Sequence, residues 1–179
     1  TFISSLLLKF MAQTPSLANG PSTTLNQQMI DLLQKLQRAF LNRLFNTGAV
    51  AISATKTLAK IANTVYYTVD GNLVKKTTAN FAVFAGTVVN ATFNVFALMG
   101  DSAGTLTTAI GTAGATLADV VFPTVPTTKT LLGFIIINPT GTGNFVGATT
   151  DLDDATVVPN AVYVDTVGLA PGLPGMVAL

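Results

Sequence analysis

Threonine stands here where most folded chains place charge. The 179 residues hold 28 threonines and 12 asparagines against only nine Lys/Arg and eight Asp, with no glutamate. Charged residues make up 9% of the chain, against about 25% in ordinary domains. Threonine is β-branched and suits the pleated, half-buried surface of a strand, so the composition alone favours sheet over helix. A Thr/Asn surface is also neutral. It can be desolvated against a partner without stranding an ion. Free monomers are normally kept soluble by charge, so this composition points to a surface largely covered by other subunits.

The residue types that are missing exclude whole classes of chemistry. The chain has no cysteine, histidine or tryptophan. No thiol nucleophile, disulfide or Cys/His zinc site can form, and no imidazole can assist a serine. An enzyme is therefore not expected, and no cofactor is implied. A net charge of +1 gives no field toward nucleic acid or anionic membrane. The longest uncharged stretch, residues 77–100, is broken by Thr77, Thr78, Asn80, Thr87, Asn90, Thr92 and Asn94, which excludes a membrane-spanning helix there. Charge is nonetheless uneven. Residues 1–90 carry eight bases and two acids, whereas residues 91–179 carry one base and six acids.

Four segments follow from the pattern. Residues 1–24, with Pro15, Pro21 and an apolar knot at Phe2, Leu6, Leu7, Leu8 and Phe10, read as an extended arm or a frayed terminus. Fully extended, such an arm spans roughly 80 Å at ~3.3 Å per residue. Residues 25–47 carry Leu25, Met29, Leu32, Leu33, Leu36, Phe40 and Leu44 at three- and four-residue steps, which predicts an amphipathic helix closed by Asn46-Thr47-Gly48. That helix either covers its own sheet or joins a bundle between chains. Residues 48–170 change to period two. Asp70-Gly71 between two alternating runs predicts a tight hairpin. Residues 92–98 and 105–110 predict a second strand pair. The continuous run 131–137 predicts a strand buried on both faces, residues 115–121 a short helix, and residues 160–167 a last strand. Residues 171–179 form a Pro/Gly tail. The fold expected is mainly β: an antiparallel β-sandwich or barrel, jelly-roll-like, preceded by the arm and one amphipathic helix.

Few side chains suggest a site. Asp151, Asp153 and Asp154 are weak candidates for a divalent cation, but the glycine and final glutamate of an EF-hand loop are missing. Turn capping by aspartate explains the cluster better. The glycine-rich 138–144 segment lacks the lysine of a phosphate-binding loop. Lys75 and Lys76 beside Tyr66 and Tyr67 fit a strand edge protected by lysine better than a nucleic-acid surface.

Three runs carry a resemblance: Val65-Tyr66-Tyr67-Thr68-Val69-Asp70-Gly71, the segment 128–141 around Leu131-Leu132-Gly133-Phe134-Ile135-Ile136-Ile137, and the segment 145–156 with Leu152-Asp153-Asp154-Ala155. Across residues 64–168 the chain resembles tailed-bacteriophage virion structural proteins of the capsid decoration, cement or head-fibre kind. The resemblance implies a non-enzymatic β-domain in a homo-oligomer bound to the major capsid protein at the virion surface, with no active-site residues to carry over. A trimer is the expected state, with a dimer next. The alternative is a tail fibre, spike or adaptor subunit in contact with a host receptor. The expected partner-binding residues are Phe2, Leu6, Leu7, Leu8 and Phe10 of the arm and Met29, Leu33, Leu36 and Phe40 of the helix.

Overall fold

The structure is a computed structural model and describes residues 27–30 and 42–167. The chain divides into two compact units, residues 1–41 and 42–179. In the first, residues 27–30 are helical, inside the span predicted for a helix. The span predicted is too long at its far end. Residues 42–47 are not helical: Leu44 bridges Tyr67, Phe45 N donates to Tyr66 O, and Thr68 N donates to Arg43 O. A strand with free main-chain groups on one side outcompetes the 3.6-residue period here. Gly48 is not the left-handed stop either; positive φ falls on Asn42 (48°) and Ala49 (47°).

The second unit is mainly β, and every strand pairing is antiparallel. Its strands are β1 (Val50–Ile52), β2 (Ala59–Ile61), β3 (Val65–Val69), β4 (Asn72–Lys76), β5 (Ala79–Asn80), β6 (Thr87–Val88), β7 (Asn94–Asp101), β8 (Leu106–Ile110), β9 (Lys129–Ile137), β10 (Phe145–Val146) and β11 (Val162–Asp165). They form four open rows: β11-β9-β7-β8, β1-β2-β5, β3-β4 and β6-β10. None closes into a barrel among the described residues.

Two tight hairpins arise where the sequence predicts them. Asp70 and Gly71 both hold positive φ (50° and 76°), the geometry a two-residue turn needs to match strand twist, and Val69 pairs with Asn72 across it. Between β7 and β8, the Asp101 carboxylate accepts from Ala103 N at 2.9 Å and Thr105 N at 2.8 Å while Gly104 turns at φ 79°. The predicted short helix shrinks to one 3₁₀ turn, Leu117–Asp119.

The strand covered on both faces is β7 rather than the 131–137 run. Every residue from Asn94 to Gly100 is buried. In β9, Leu131, Phe134 and Ile136 are only half-buried, and Leu132, Ile135 and Ile137 enter the core. Leu98 pairs with Gly133 and Met99 with Leu131, so Leu132 is an extra residue on β9. This bulge switches the inward positions from even to odd numbers. On the outer face Val95, Ala97 and Met99 lie beside Ile136, Phe134 and Leu131. Part of the 111–128 connection covers that side, where Phe122 meets Phe134 edge-to-face at 5.5 Å.

On the inner face Phe84, Phe96 and Phe145 stack edge-to-face, with centroids 4.9 and 5.8 Å apart, in one cluster with Tyr67, Leu98, Ile135 and Leu152. Threonine is also inside. Thr130 Oγ1 donates to Thr68 O, tying β9 to β3, and Thr166 Oγ1 donates to Leu131 O at 2.8 Å. Nearer the surface, Thr78 reaches Ala62 O and Thr108 reaches Val83 O. Each hydroxyl joins two segments through a main-chain carbonyl.

Candidate partner-binding surface

Of the side chains predicted to bind a partner, Phe2, Leu6, Leu7, Leu8, Phe10, Leu33, Leu36 and Phe40 lie outside the described residues. Met29 falls on the helical residues 27–30, and both it and Ile30 are about half exposed.

The aspartate loop is held by its own fold. Leu152 and Val158 plug into the core, and Leu152 N bonds Lys56 O. Asp153 pairs at the surface with Lys56 at 2.8 Å, which raises the lysine above its ordinary pKa. Asp154 accepts from the Thr156 hydroxyl at 2.6 Å and the Thr156 amide at 2.8 Å. Those two bonds, the hydroxyl first, hold its carboxyl below the usual carboxylate range. The three carboxylates are not gathered around a common point. Among the described residues no group of three or more potential ligands is placed to hold a metal ion. The glycine-rich loop closes onto this turn: Thr142 N bonds Thr156 O, and a Cβ at Gly141 would sit 1.8 Å from Thr156 O. Close backbone packing accounts for that glycine.

A shallow groove of about 180 Å³ lies among Asn42, Phe122, Val125, Pro126 and Leu131. Its polar neighbours are already engaged: Asn42 bonds Thr127 O and Asp70 N, and Lys129 bonds the Thr107 hydroxyl. No acid–base pair faces it. The two perturbed tyrosines also offer no base. Burial pushes Tyr67 and Tyr163 up to about 12, which keeps both phenols neutral.

The exposed ribbon around β3 and β4 is different. Residues 43–45 pair with one side of β3 and β4 with the other. Alternation sends Val65, Tyr67 and Val74 into the core and puts Tyr66, Leu73 and Lys75 outside. Tyr66 and Lys75 are directly opposed, with the ammonium 5.9 Å from the ring centroid. Leu73 is 67% exposed, the most of any large apolar side chain among the described residues. The two tyrosines are therefore split. Tyr67 is fully buried, and its hydroxyl donates to Asp101 O at 2.9 Å. The period-two pattern held that separation, and the exposure of Leu73 could have been read from it as well.

No family model, curated protein or solved structure matches this chain.

Proposed function

We propose that this chain is a non-enzymatic virion structural protein that decorates or cements the outside of a phage capsid by bridging neighbouring subunits of the major capsid protein. The observation that carries the reading is the chemistry of its surface. Val83, Val89, Val121, Val162 and Leu73 are each about half exposed or more. One ion pair, Lys56–Asp153, is recorded among the described residues. Such a surface loses little on desolvation against neighbours and gains apolar burial there, at roughly 25 cal/mol per Å². Repetition around a shell then turns modest contacts into retention through effective concentration.

The resemblance supports the same reading. Its three runs fall on the β3–β4 hairpin, on β9, and on β10 with the aspartate loop. They supply Tyr67, Ile135, Phe145 and Leu152 to one core, so what they share is packing rather than a reactive site. In this reading the open sheets stack as a two-layer, jelly-roll-like sandwich, and copies associate as trimers on the capsid surface. The test is quantitative mass spectrometry of purified virions. Hundreds of copies per particle are expected, as repetition over a closed shell requires. About a dozen copies would move the protein to a tail fibre, spike or adaptor, and none would overturn the reading.

A further inference from the structure

We propose that the free edge of β4 takes up an extended strand from a partner protein, with an acidic side chain of that strand set against Lys75 and an apolar one against Leu73. The inference deepens the capsid reading, on which it rests for taking the partner to be a shell protein.

The main-chain bonding of the ribbon fixes which groups are open. Phe45 N donates to Tyr66 O, and Thr68 N donates to Arg43 O, so the backbones of Tyr66 and Thr68 face away from β4. In an antiparallel ladder, bonded and non-bonded pairs alternate. Val65–Lys76, Tyr67–Val74 and Val69–Asn72 are then the bonded pairs, and Leu73 and Lys75 lie opposite Thr68 and Tyr66. The N–H and C=O groups of Leu73 and Lys75 consequently point outward, and among the described residues nothing hydrogen-bonds to either. β4 pairs with β3 alone among the described residues. An edge of this kind is a template for strand addition.

Charge selects the occupant. Among the described residues Arg43, Lys75 and Lys76 carry no salt bridge, and the acid nearest in the ribbon, Asp70, sits at the turn. Lys75 rests over Tyr66 instead of over a carboxylate. A second copy pairing edge to edge in the matching register would centre on Val74 and set Leu73 against Lys75 of the other copy. Both Lys75 side chains would then lie on the same face at adjacent diagonal positions, and like charges so placed repel. An acid opposite Lys75 meets the ammonium, while an apolar residue two positions along covers Leu73. Side chains two apart share a face, so on a strand added antiparallel, like every pair in this fold, the recognised pattern from N to C is acidic–any–apolar.

The test uses the full chain, isotope-labelled, with two capped peptides as probes: Thr-Asp-Thr-Val-Thr and its Thr-Lys-Thr-Val-Thr counterpart. Amide exchange read by NMR is expected to slow at least tenfold at Leu73 and Lys75 with the acidic peptide and to stay unchanged with the basic one. Leu73→Pro removes an outward N–H that the fold does not use, and edge strands tolerate proline there. It should abolish the effect. Lys75→Glu should reverse the preference between the peptides. Equal response to both peptides, or protection elsewhere on the chain, overturns the inference. So does protection in the free chain that vanishes with Leu73→Pro alongside a sedimenting dimer, since the occupant is then a second copy. Purified shells separate this outcome from the capsid reading. Wild type bound to shells and Leu73→Pro bound equally well sinks the edge and leaves the capsid role. A wild type that ignores shells sinks the capsid role, and the peptides still decide the edge.

Discussion

Gly100→Ala tests the packing between the central sheet and the β3–β4 ribbon. A Cβ at this position would stand 2.6 Å from the Tyr67 hydroxyl oxygen, 2.7 Å from Cζ and 3.1 Å from Cε2. Tyr67 is fully buried, and its hydroxyl is committed to Asp101 O, so the ring has no free space to retreat into. Overpacking of this kind costs about 1–3 kcal/mol. Stretching the phenol bond adds about 1 kcal/mol, for a total near 2–4 kcal/mol. At roughly 3 °C per kcal/mol for a chain of this size, Tm should fall by about 6–12 °C. Tyr67→Phe alone should cost about 0.5–1.5 kcal/mol, because the Asp101 carbonyl loses one of its two donors and keeps Gly104 N. In the double variant the nearest clashing atom is gone, although the ring carbon at 2.7 Å remains. The combined loss should fall short of the sum by about 1 kcal/mol or more. Urea unfolding of all four proteins, followed by circular dichroism, measures each term. A Gly100→Ala protein within about 0.5 kcal/mol of wild type, or strict additivity in the double variant, would falsify the reasoning.

Phe96→Ala removes the middle ring of the Phe84–Phe96–Phe145 stack and should cost about 3–5 kcal/mol by the same urea assay, provided the site does not collapse. At alkaline pH the fold holds Tyr67 neutral up to about 12, whereas in the unfolded chain it ionises near 10. Its contribution is whole below pH 10 and is lost as pH rises toward 12, by up to about 3 kcal/mol. Tyr67→Phe should flatten that decline in urea midpoints taken at pH 8, 10 and 11. At the acid end the Asp101 carboxyl is held below its ordinary value, chiefly by the Thr105 amide. The stability it supplies is present above about pH 4 and lost as pH falls through the lowered value, so Asp101→Asn should flatten the fall of Tm between pH 6 and 2.

Local chemistry made part of this fold legible. Asp70-Gly71 specifies its hairpin because few dipeptides accept two positive φ angles, and the strands on either side of residues 101–105 follow from alternation. The strands β1, β2, β5, β6 and β10 run only two or three residues each and exist through their partners, so no window of sequence carries them. The burial of β7 over β9 was hidden for a related reason. An apolar run in sequence records how greasy a strand is, while the cover on its faces comes from segments distant in sequence, as Phe122 covers Phe134. The helix period carried past residue 41 because Leu44 and Phe45 fit a strand as well as a helix. At the partner surface, Lys75 beside Tyr66 was readable as an edge device. The outward main chain of Leu73 was not, since it depends on residues 43–45 claiming the far side of β3.

The hydroxyl-to-carbonyl ties of Thr130, Thr166, Thr78 and Thr108 have one more consequence. None carries a formal charge at either end, so dissolved ions have nothing there to shield. With neither imidazole nor thiol anywhere in the chain, no side chain changes its protonation across the neutral range. Concentrated brine and dilute buffer should meet a molecule stitched in the same way.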